Sequence, residues 1–196
     1  MFLSKMIKGR NKMDEKKILV TFNGSPHENG HTYAAIDAYA SFLQLSKGYQ
    51  PETILDIPTN LIGCKDCGAC KETKKCVLGN NKPWMDKAIY EIEKSDGVIL
   101  GCPVYLDMPT AQTVAFLSRL NSMAESTDRE FFKGKKMYIV TVSYCSGTKT
   151  VAHTLMGAAE MLGFDIEGRS TREHIILWKD KKLRGGMSRN DSIFIE

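Results

Sequence analysis

Apolar residues in this chain form short continuous runs, separated by longer stretches in which they recur at helical spacing. Lys17–Phe22, Gly97–Gly101 and Lys136–Val142 are continuous apolar runs with β-branched members. Runs of this kind are typical of strands buried on both faces of a parallel sheet. Glu52–Ile57 predicts a shorter strand near a sheet edge, and Phe164–Glu167 predicts the start of the last strand.

Helices are predicted between these strands, because apolar residues return there every three or four positions. The first helix follows residue 32 and has Gly48 as a candidate C-cap, and the second opens at Pro83. Two more begin near Thr110 and Val151. Since strand and helix alternate throughout, we predict a parallel α/β sheet with helices on both faces. Residues 14–196 are predicted to form one domain, preceded by a flexible basic extension over residues 1–13.

The loop after the first strand, Asn23–Thr32, is rich in glycine, serine, asparagine and threonine. A strand, a polar glycine loop and a helix together form a typical phosphate site, because the N–H groups of the first helical turn point at the anion. The loop matches neither the Walker A sequence nor the G-x-G-x-x-G fingerprint, which disfavours ATP and the usual nicotinamide site. An ordinary turn is the alternative, since glycine and asparagine also serve turns.

Four cysteines, Cys64, Cys67, Cys70 and Cys76, fall within thirteen residues with the spacing C-x2-C-x2-C-x5-C. This spacing is close to that of bacterial ferredoxins, in which three closely spaced thiolates and a fourth bind a 4Fe-4S cluster. Structural zinc sites usually pair two C-x2-C knuckles across a longer gap. The sequence therefore favours a 4Fe-4S cluster on a cysteine loop over residues 62–80. Zinc, or a loop without a metal, is the alternative.

Composition and charge exclude several other classes of protein. The chain has 196 residues, of which 42% are hydrophobic and 26% charged, as expected for a soluble globular domain. The compact cysteine cluster and the lack of a signal-peptide pattern predict a reducing, cytoplasmic location. No apolar run is long enough to cross a bilayer, so no membrane association is expected. The net charge of +4 is scattered along the chain, which argues against nucleic acid as a partner.

Three stretches resemble the iron-sulfur flavoproteins, within the wider NADPH-dependent FMN reductase family. Gly24–Thr32 is similar to the family's GSPRxxGNT-type phosphate loop, and the four cysteines match its compact cysteine motif. The third stretch is Ser95–Tyr105, with Ala111-Gln112 and Phe116–Arg119 beyond it. The resemblance implies a flavodoxin-like, doubly wound parallel sheet of five strands in the order 2-1-3-4-5. The cysteine loop would then be an insertion after the second strand.

The same resemblance implies which residues would bind FMN and which would bind the metal. The FMN phosphate would be held by Ser25, Pro26, Asn29, Gly30, His31 and Thr32. One side of the isoalloxazine ring would be lined by Pro103, Val104, Tyr105 and Leu106. The other side would be formed by the loop from Ser143 to Gly147, with contacts from Ser143, Tyr144, Cys145 and Gly147. The cluster ligands would be Cys64, Cys67, Cys70 and Cys76.

The predicted function is that of a flavin-dependent oxidoreductase. It would pass electrons between a ferredoxin-like one-electron carrier, the 4Fe-4S cluster and FMN, with a small molecule as a further possible acceptor. NAD(P)H is a possible substrate, and the resemblance implies a homodimer or homotetramer. One alternative is an NAD(P)H-dependent FMN or quinone oxidoreductase without a cluster. Another is an FMN-binding electron carrier without turnover.

Overall fold

The computed structural model describes residues 16–144 and 146–166, and the backbone of residues 176–177 and 194–195. The main sheet contains four parallel strands, which are β1 (Lys17–Asn23), β2 (Tyr49–Asp56), β3 (Gly97–Tyr105) and, after the short β4 (Met108–Pro109), β5 (Lys136–Val142). The parallel strands lie in the order β2-β1-β3-β5. This arrangement confirms the flavodoxin-like α/β fold and the first four positions of the predicted order.

Within the described residues, five helices precede or follow these strands. Their bounds are α1 (His31–Lys47), α2 (Ala69–Thr73), α3 (Lys82–Lys94), α4 (Ala111–Ser126) and α5 (Thr148–Leu162). Gly48 ends α1 in the left-handed conformation, with φ of 72°, and its N–H donates to the carbonyls of Gln44 and Leu43. A residue without a Cβ adopts this conformation without strain, and the predicted C-cap is confirmed.

The structure corrects one predicted strand end. β3 continues to Tyr105 rather than ending at Gly101, and its last residues pair antiparallel with β4. In the described part of the predicted last strand, Asp165 forms an isolated parallel bridge with Lys136. A further antiparallel pair joins β6 (Ile176–Leu177) and β7 (Phe194–Ile195). The expectations for residues 1–13, and for most of the tail beyond residue 166, lie outside the described residues.

The sheet is buried on both faces, as its continuous apolar strands predict. On one face, Leu19 and Ile99 pack with Ile36, Tyr39 and Leu43 of α1. On the other face, neighbouring strand residues such as Val20 and Leu100 join side chains of α3, α4 and α5 in a larger cluster. Because successive side chains of a strand point to opposite faces, each strand contributes to both clusters.

The chain changes direction across the sheet between β1 and β3. From β1 the connection runs outward to β2, and from β3 it runs the other way to β5. Ligands of open α/β sheets bind at such a switch, beyond the carboxyl ends of the strands. Among the described residues, no helix combines the length and the apolar character that crossing a bilayer requires.

Candidate functional site

A cavity of about 380 Å³ lies at the carboxyl ends of β1, β3 and β5. The structure brings together three loops, the first and last of which lie more than a hundred residues apart in sequence, as predicted from their positions after parallel strands. The residues that line the cavity are Ser25, His27, Gly30, His31, Thr32, Pro103, Val104, Tyr105, Val142, Ser143 and Tyr144. His27 and Val142 are the lining residues outside the predicted set.

Four residues of the predicted set do not line this cavity. Pro26 and Asn29 are exposed on the loop before α1, and the side chain of Leu106 is 91% exposed at the β3–β4 turn. Gly147 is the N-cap of α5, with φ of 81°. Cys145 lies outside the described residues. The predicted contacts of these residues with FMN therefore remain predictions.

The loop after β1 is held in shape by its own polar side chains. Asn23 Oδ1 accepts the N–H of Ser25 at 3.0 Å, and Asn23 Nδ2 donates to Asp56 Oδ1 at 2.7 Å. Ser25 Oγ in turn accepts the N–H of His27 at 3.1 Å. Local bonds of this kind are typical of Asx and Ser/Thr turns. They preform the loop without using the N–H groups of the first turn of α1.

The first turn of α1 has no acidic residue that would repel an anion. Its N-cap is Gly30, and no side chain caps the helix. The N–H groups of this turn and the positive end of the helix dipole lie on the loop side of the cavity. Thr32 is buried at this point, and its side chain lines the cavity. This end of the cavity fits a phosphate group.

Helix α4 supports the phosphate loop from the opposite side. The carbonyl of Gly24 accepts hydrogen bonds from Thr110 Oγ1 at 2.8 Å and from Gln112 Nε2 at 2.9 Å. The N–H of Gly24 donates to the carbonyl of Gly101 at 2.7 Å. A Cβ at Gly24 would overlap Thr113 Oγ1 and would lie 2.8 Å from the carbonyl oxygen of Gly101. Only glycine fits this close approach of the loop to β3 and α4.

The side walls of the cavity come from β3 and β5, which bring Pro103 and Val142 opposite each other in the sheet. At the rim, Ser146 Oγ donates to Asp107 Oδ1 at 2.8 Å and so links the loop after β5 to the β3–β4 turn. Partial burial, with a smaller effect from Cys102, raises the pKa of the Tyr105 phenol. Tyr105 is therefore a neutral hydrogen-bond donor at neutral pH.

A buried hydroxyl without a partner also lies in this wall. Ser143 lines the cavity and is 7% exposed, and its Oγ makes no hydrogen bond within the part of the chain that the structure describes. A buried polar atom without a partner is costly and usually marks a missing group. The anion-binding end, the apolar walls and this hydroxyl together fit a flavin mononucleotide.

The four predicted cluster ligands line a second, smaller cavity of about 140 Å³. Cys64 and Cys67 are exposed, whereas Cys70 and Cys76 are partly buried, and all four are free thiols. Cys70 lies in the short helix α2, and the other three lie in the loop around it. The remaining wall comes from α4, through Asn121, Ser122 and Glu125. The sequence spacing thus correctly grouped the four cysteines around one space.

The cysteine loop is closed by residues that sequence analysis did not single out. Asn80 Oδ1 accepts the N–H of Ile62 at 2.8 Å, which ties the end of the loop to its beginning. Ser118 Oγ of α4 accepts the N–H of Cys64 at 3.0 Å. Arg119, which is 1% exposed, donates to the carbonyl of Asn80 at 3.0 Å and also to the carbonyls of Ile62 and Leu78. The only sequence signal was the position of Ser118 and Arg119 within the third family-like stretch.

The donor set of the second cavity consists of the four thiols. Across the described residues, no three histidine, cysteine, aspartate or glutamate side chains are grouped so as to hold a metal ion. A zinc ion would need four ligands about 2.3 Å from one centre. A cubane binds each thiolate through a different iron, and four thiols around one cavity are the donor set that it takes.

Sequence comparison places the chain among known flavoproteins. Residues 17–168 match the NADPH-dependent FMN reductase family. An iron-sulfur flavoprotein of Methanosarcina thermophila is 29% identical over 97 residues, which are 50% of this chain and 49% of that protein. An iron-sulfur flavoprotein of Clostridioides difficile is 28% identical over 137 residues, or 69% of this chain and 58% of that protein. The chain spans about half the length of the curated relatives it matches.

Solved structures agree on the fold. The flavodoxin, WrbA-like protein from Agrobacterium tumefaciens superimposes with a TM-score of 0.53 at 15% identity and covers 85% of each chain. At this level of identity the similarity establishes the flavodoxin-like fold alone. The family match covers most of the chain, from the first strand to the end of the last described helix. This chain therefore belongs to the NADPH-dependent FMN reductase family.

Proposed function

We propose that this protein is an FMN-dependent oxidoreductase that transfers electrons between a one-electron carrier, a 4Fe-4S cluster and FMN. One observation carries the proposal. The four cysteines line one cavity against α4, and the start of the same helix supports the phosphate loop of the other cavity. Two cavities supported by one helix support a relay between a flavin and a cluster.

The cluster would be bound through the thiolates of Cys64, Cys67, Cys70 and Cys76. When bound, such a cluster carries single electrons and FMN takes up two, so together they connect one-electron carriers with two-electron chemistry. The role of the chain is to fix the ligands in place. Ser118 holds the backbone at Cys64, and Arg119 holds both ends of the loop.

The FMN phosphate would be bound by the first turn of α1 and by Ser25 and Thr32. Val104 and Tyr105 from β3 would cover one side of the ring, and Ser143 and Tyr144 from the loop after β5 would contact the other. The unpartnered hydroxyl of Ser143 supports this arrangement, because a flavin carries carbonyl and nitrogen acceptors that it could satisfy.

The proposed electron donor is a small acidic protein of the ferredoxin kind. Lys65, Lys71, Lys74 and Lys75 are exposed around the thiols. Lys71 is paired with Glu125 at 3.6 Å, so three of these lysines carry the steering charge. Exposed charges of this kind raise association rates at low salt rather than final affinity.

We also propose a homodimer or homotetramer. An apolar groove between α4 and α5 is lined by Val114 and Met161, whose side chains are 49% and 68% exposed. Exposed apolar grooves of this kind commonly mark a protein interface. The mass in solution, measured by light scattering during gel filtration, tests this proposal, and a monomer at micromolar concentration would refute it.

The relay is tested by purifying the protein without oxygen and measuring its absorption spectrum together with its iron, sulfide, zinc and FMN content. The expected result is flavin bands over a broad cluster shoulder, with iron and sulfide in equal amounts. Cys67→Ser should remove iron and sulfide and should stop electron transfer from a reduced ferredoxin to FMN. Cys102→Ala is the matched control, since Cys102 is a buried cysteine outside the cluster cavity. If Cys67→Ser keeps both its cluster and this transfer, the relay is wrong.

A second function deserves a test because the flavin cavity contains none of the four loop cysteines. The protein would then be an NAD(P)H-dependent FMN or quinone oxidoreductase that works without a cluster. Steady-state oxidation of NADPH with a quinone acceptor measures this activity. Turnover that is equal in the wild type and in Cys67→Ser would favour it, whereas no NADPH turnover with an intact cluster would favour the relay.

A further inference from the structure

Ser122 is a buried serine of α4 that faces the cysteine cavity and has no hydrogen-bond partner. It is 4% exposed, it lines the cavity with the four thiols, and its Oγ makes no hydrogen bond among the described residues. A serine inside a helix normally donates to the carbonyl one turn before it. Ser122 does not use this option.

The other hydroxyls of the same helix are all partnered. Thr113 Oγ1 shares a hydrogen bond with Thr110 Oγ1 at 2.8 Å. Ser118 Oγ donates to the carbonyl of Ala115 at 2.8 Å, and Ser126 Oγ donates to the carbonyl of Met123 at 3.2 Å. The unpartnered hydroxyl on α4 is therefore the one beside the thiols. Leaving such a buried group unpaired is costly, so a group that enters the cavity and accepts a hydrogen bond would relieve this cost.

The polar neighbours of Ser122 in this cavity leave its hydroxyl available. Glu125 is engaged by Lys71 at 3.6 Å, and Asn121 is exposed. The four thiols line the same cavity, and their sulfurs are acceptors that Ser122 shares it with. Thiolate sulfur accepts hydrogen bonds, and rotation about χ1 gives the serine hydroxyl three staggered directions.

We propose that Ser122 donates a hydrogen bond to a sulfur of the bound cluster and thereby raises its reduction potential. The proposal rests on the cluster of the proposed function. Reduction adds one electron to the cluster while the hydroxyl proton stays on Ser122. The added negative charge strengthens the hydrogen bond, so the donor stabilises the reduced state more than the oxidised state. Ser122 would therefore make the cluster a better acceptor for electrons from its donor.

The test is a reductive titration of anaerobically purified protein with dithionite and redox mediators, followed through the electron paramagnetic resonance signal of the reduced cluster. Ser122→Ala should lower the equilibrium constant for reduction of the cluster about tenfold, which corresponds to a reduction potential lower by about 59 mV for one electron. Ser122→Thr keeps the hydroxyl and should lie closer to the wild type. Ser126→Ala is the matched control, since Ser126 is a buried serine of the same helix that bonds to its own backbone. Its potential should equal that of the wild type.

The outcomes separate this proposal from the proposed function. A wild type without iron and sulfide overturns both. A wild type with a cluster, but with the same potential in Ser122→Ala and Ser126→Ala, overturns only the role of Ser122. If Ser122→Ala does not fold, deuterium exchange in the wild type decides. A hydrogen bond from Ser122 to sulfur would give an exchangeable deuteron coupled to the reduced cluster, in addition to that of the Asp66 N–H, which donates to Cys64 Sγ at 3.4 Å. Ser122→Thr should retain this second deuteron, and finding no coupled deuteron other than that of the amide refutes the proposal.

Discussion

Replacing Arg119 with methionine should loosen the cysteine loop and lower the stability of the whole domain. The guanidinium is buried, and no carboxylate among the described residues pairs with it. It donates instead to three carbonyls, at 3.0 Å to Asn80, 3.3 Å to Leu78 and 3.4 Å to Ile62. These carbonyls stand at the two ends of the loop. Methionine keeps most of the apolar stem but removes all three donors.

The magnitude follows from the geometry of these bonds. A hydrogen bond from a charged donor contributes about 2 kcal/mol when short, and the two longer ones contribute about 0.5 kcal/mol each, which gives about 3 kcal/mol in total. The substitution also removes a buried charge, which offsets part of the free energy lost with the three hydrogen bonds. We therefore expect a loss of about 2–3 kcal/mol, which corresponds to a fall in Tm of about 4–12 °C for a chain of this size.

The assay is thermal unfolding of the cofactor-free protein by circular dichroism, combined with limited proteolysis within residues 62–80. Arg129→Met is the matched control, because Arg129 is exposed and its Nε makes a single hydrogen bond, to the carbonyl of Met161 at 2.8 Å. Arg119→Met should melt well below this control and should be cut faster in the loop. If both variants melt together and the loop is cut at the same rate, Arg119 does not hold the loop.

Three further predictions concern the flavin side of the molecule. Gly24→Ala should lose about 1–3 kcal/mol of stability and bind FMN poorly, because its Cβ overlaps Thr113. Unfolding in urea measures the loss of stability, and a variant as stable as the wild type would refute the overlap. Ser143→Ala should weaken FMN binding about fivefold in a fluorescence titration, as expected for one lost hydrogen bond, and should not lower the stability of the free protein. Burial raises the pKa of the Cys102 thiol above its usual value of 9.0, so the folded state holds this proton more tightly than the unfolded state does. The contribution of this thiol to the free energy of unfolding is complete below pH 9 and is lost as the pH rises through the raised pKa. In urea unfolding from pH 8 to pH 10, the free energy of unfolding should therefore fall less steeply for Cys102→Ala than for the wild type. Equal slopes in the two proteins would refute this.

The flavin cavity could be predicted closely from sequence because its parts follow from local patterns. Each lining loop comes directly after an apolar run, and the carboxyl ends of parallel strands meet at one edge. The cysteine cavity could be predicted for a similar reason, since its four ligands lie close together in the chain. In both cases each part of the site can be recognised from residues that are close together in the sequence.

The supports of these cavities could not be predicted, because they join residues far apart in sequence. Arg119 reaches Asn80 across 39 residues, and Gln112 reaches Gly24 across 88. The β3–β4 turn was also missed, since Leu106 and Asp107 both have positive φ, of 52° and 58°, where asparagine and glycine are usual. The side chain of Asp107 bonds to Ser146, which helps to hold a turn that its sequence does not favour.

Helix α4 makes the molecule unusually sensitive to changes in length. Gln112 contacts the phosphate loop and Arg119 contacts the cysteine loop, and seven residues of helix separate them, or about 10 Å along the axis. One residue inserted between them would turn everything beyond it by about 100° and would point Arg119 away from the carbonyls that it holds and Ser122 away from the thiols. Substitutions in α4 alter one site at a time, whereas an insertion or deletion would uncouple the two sites.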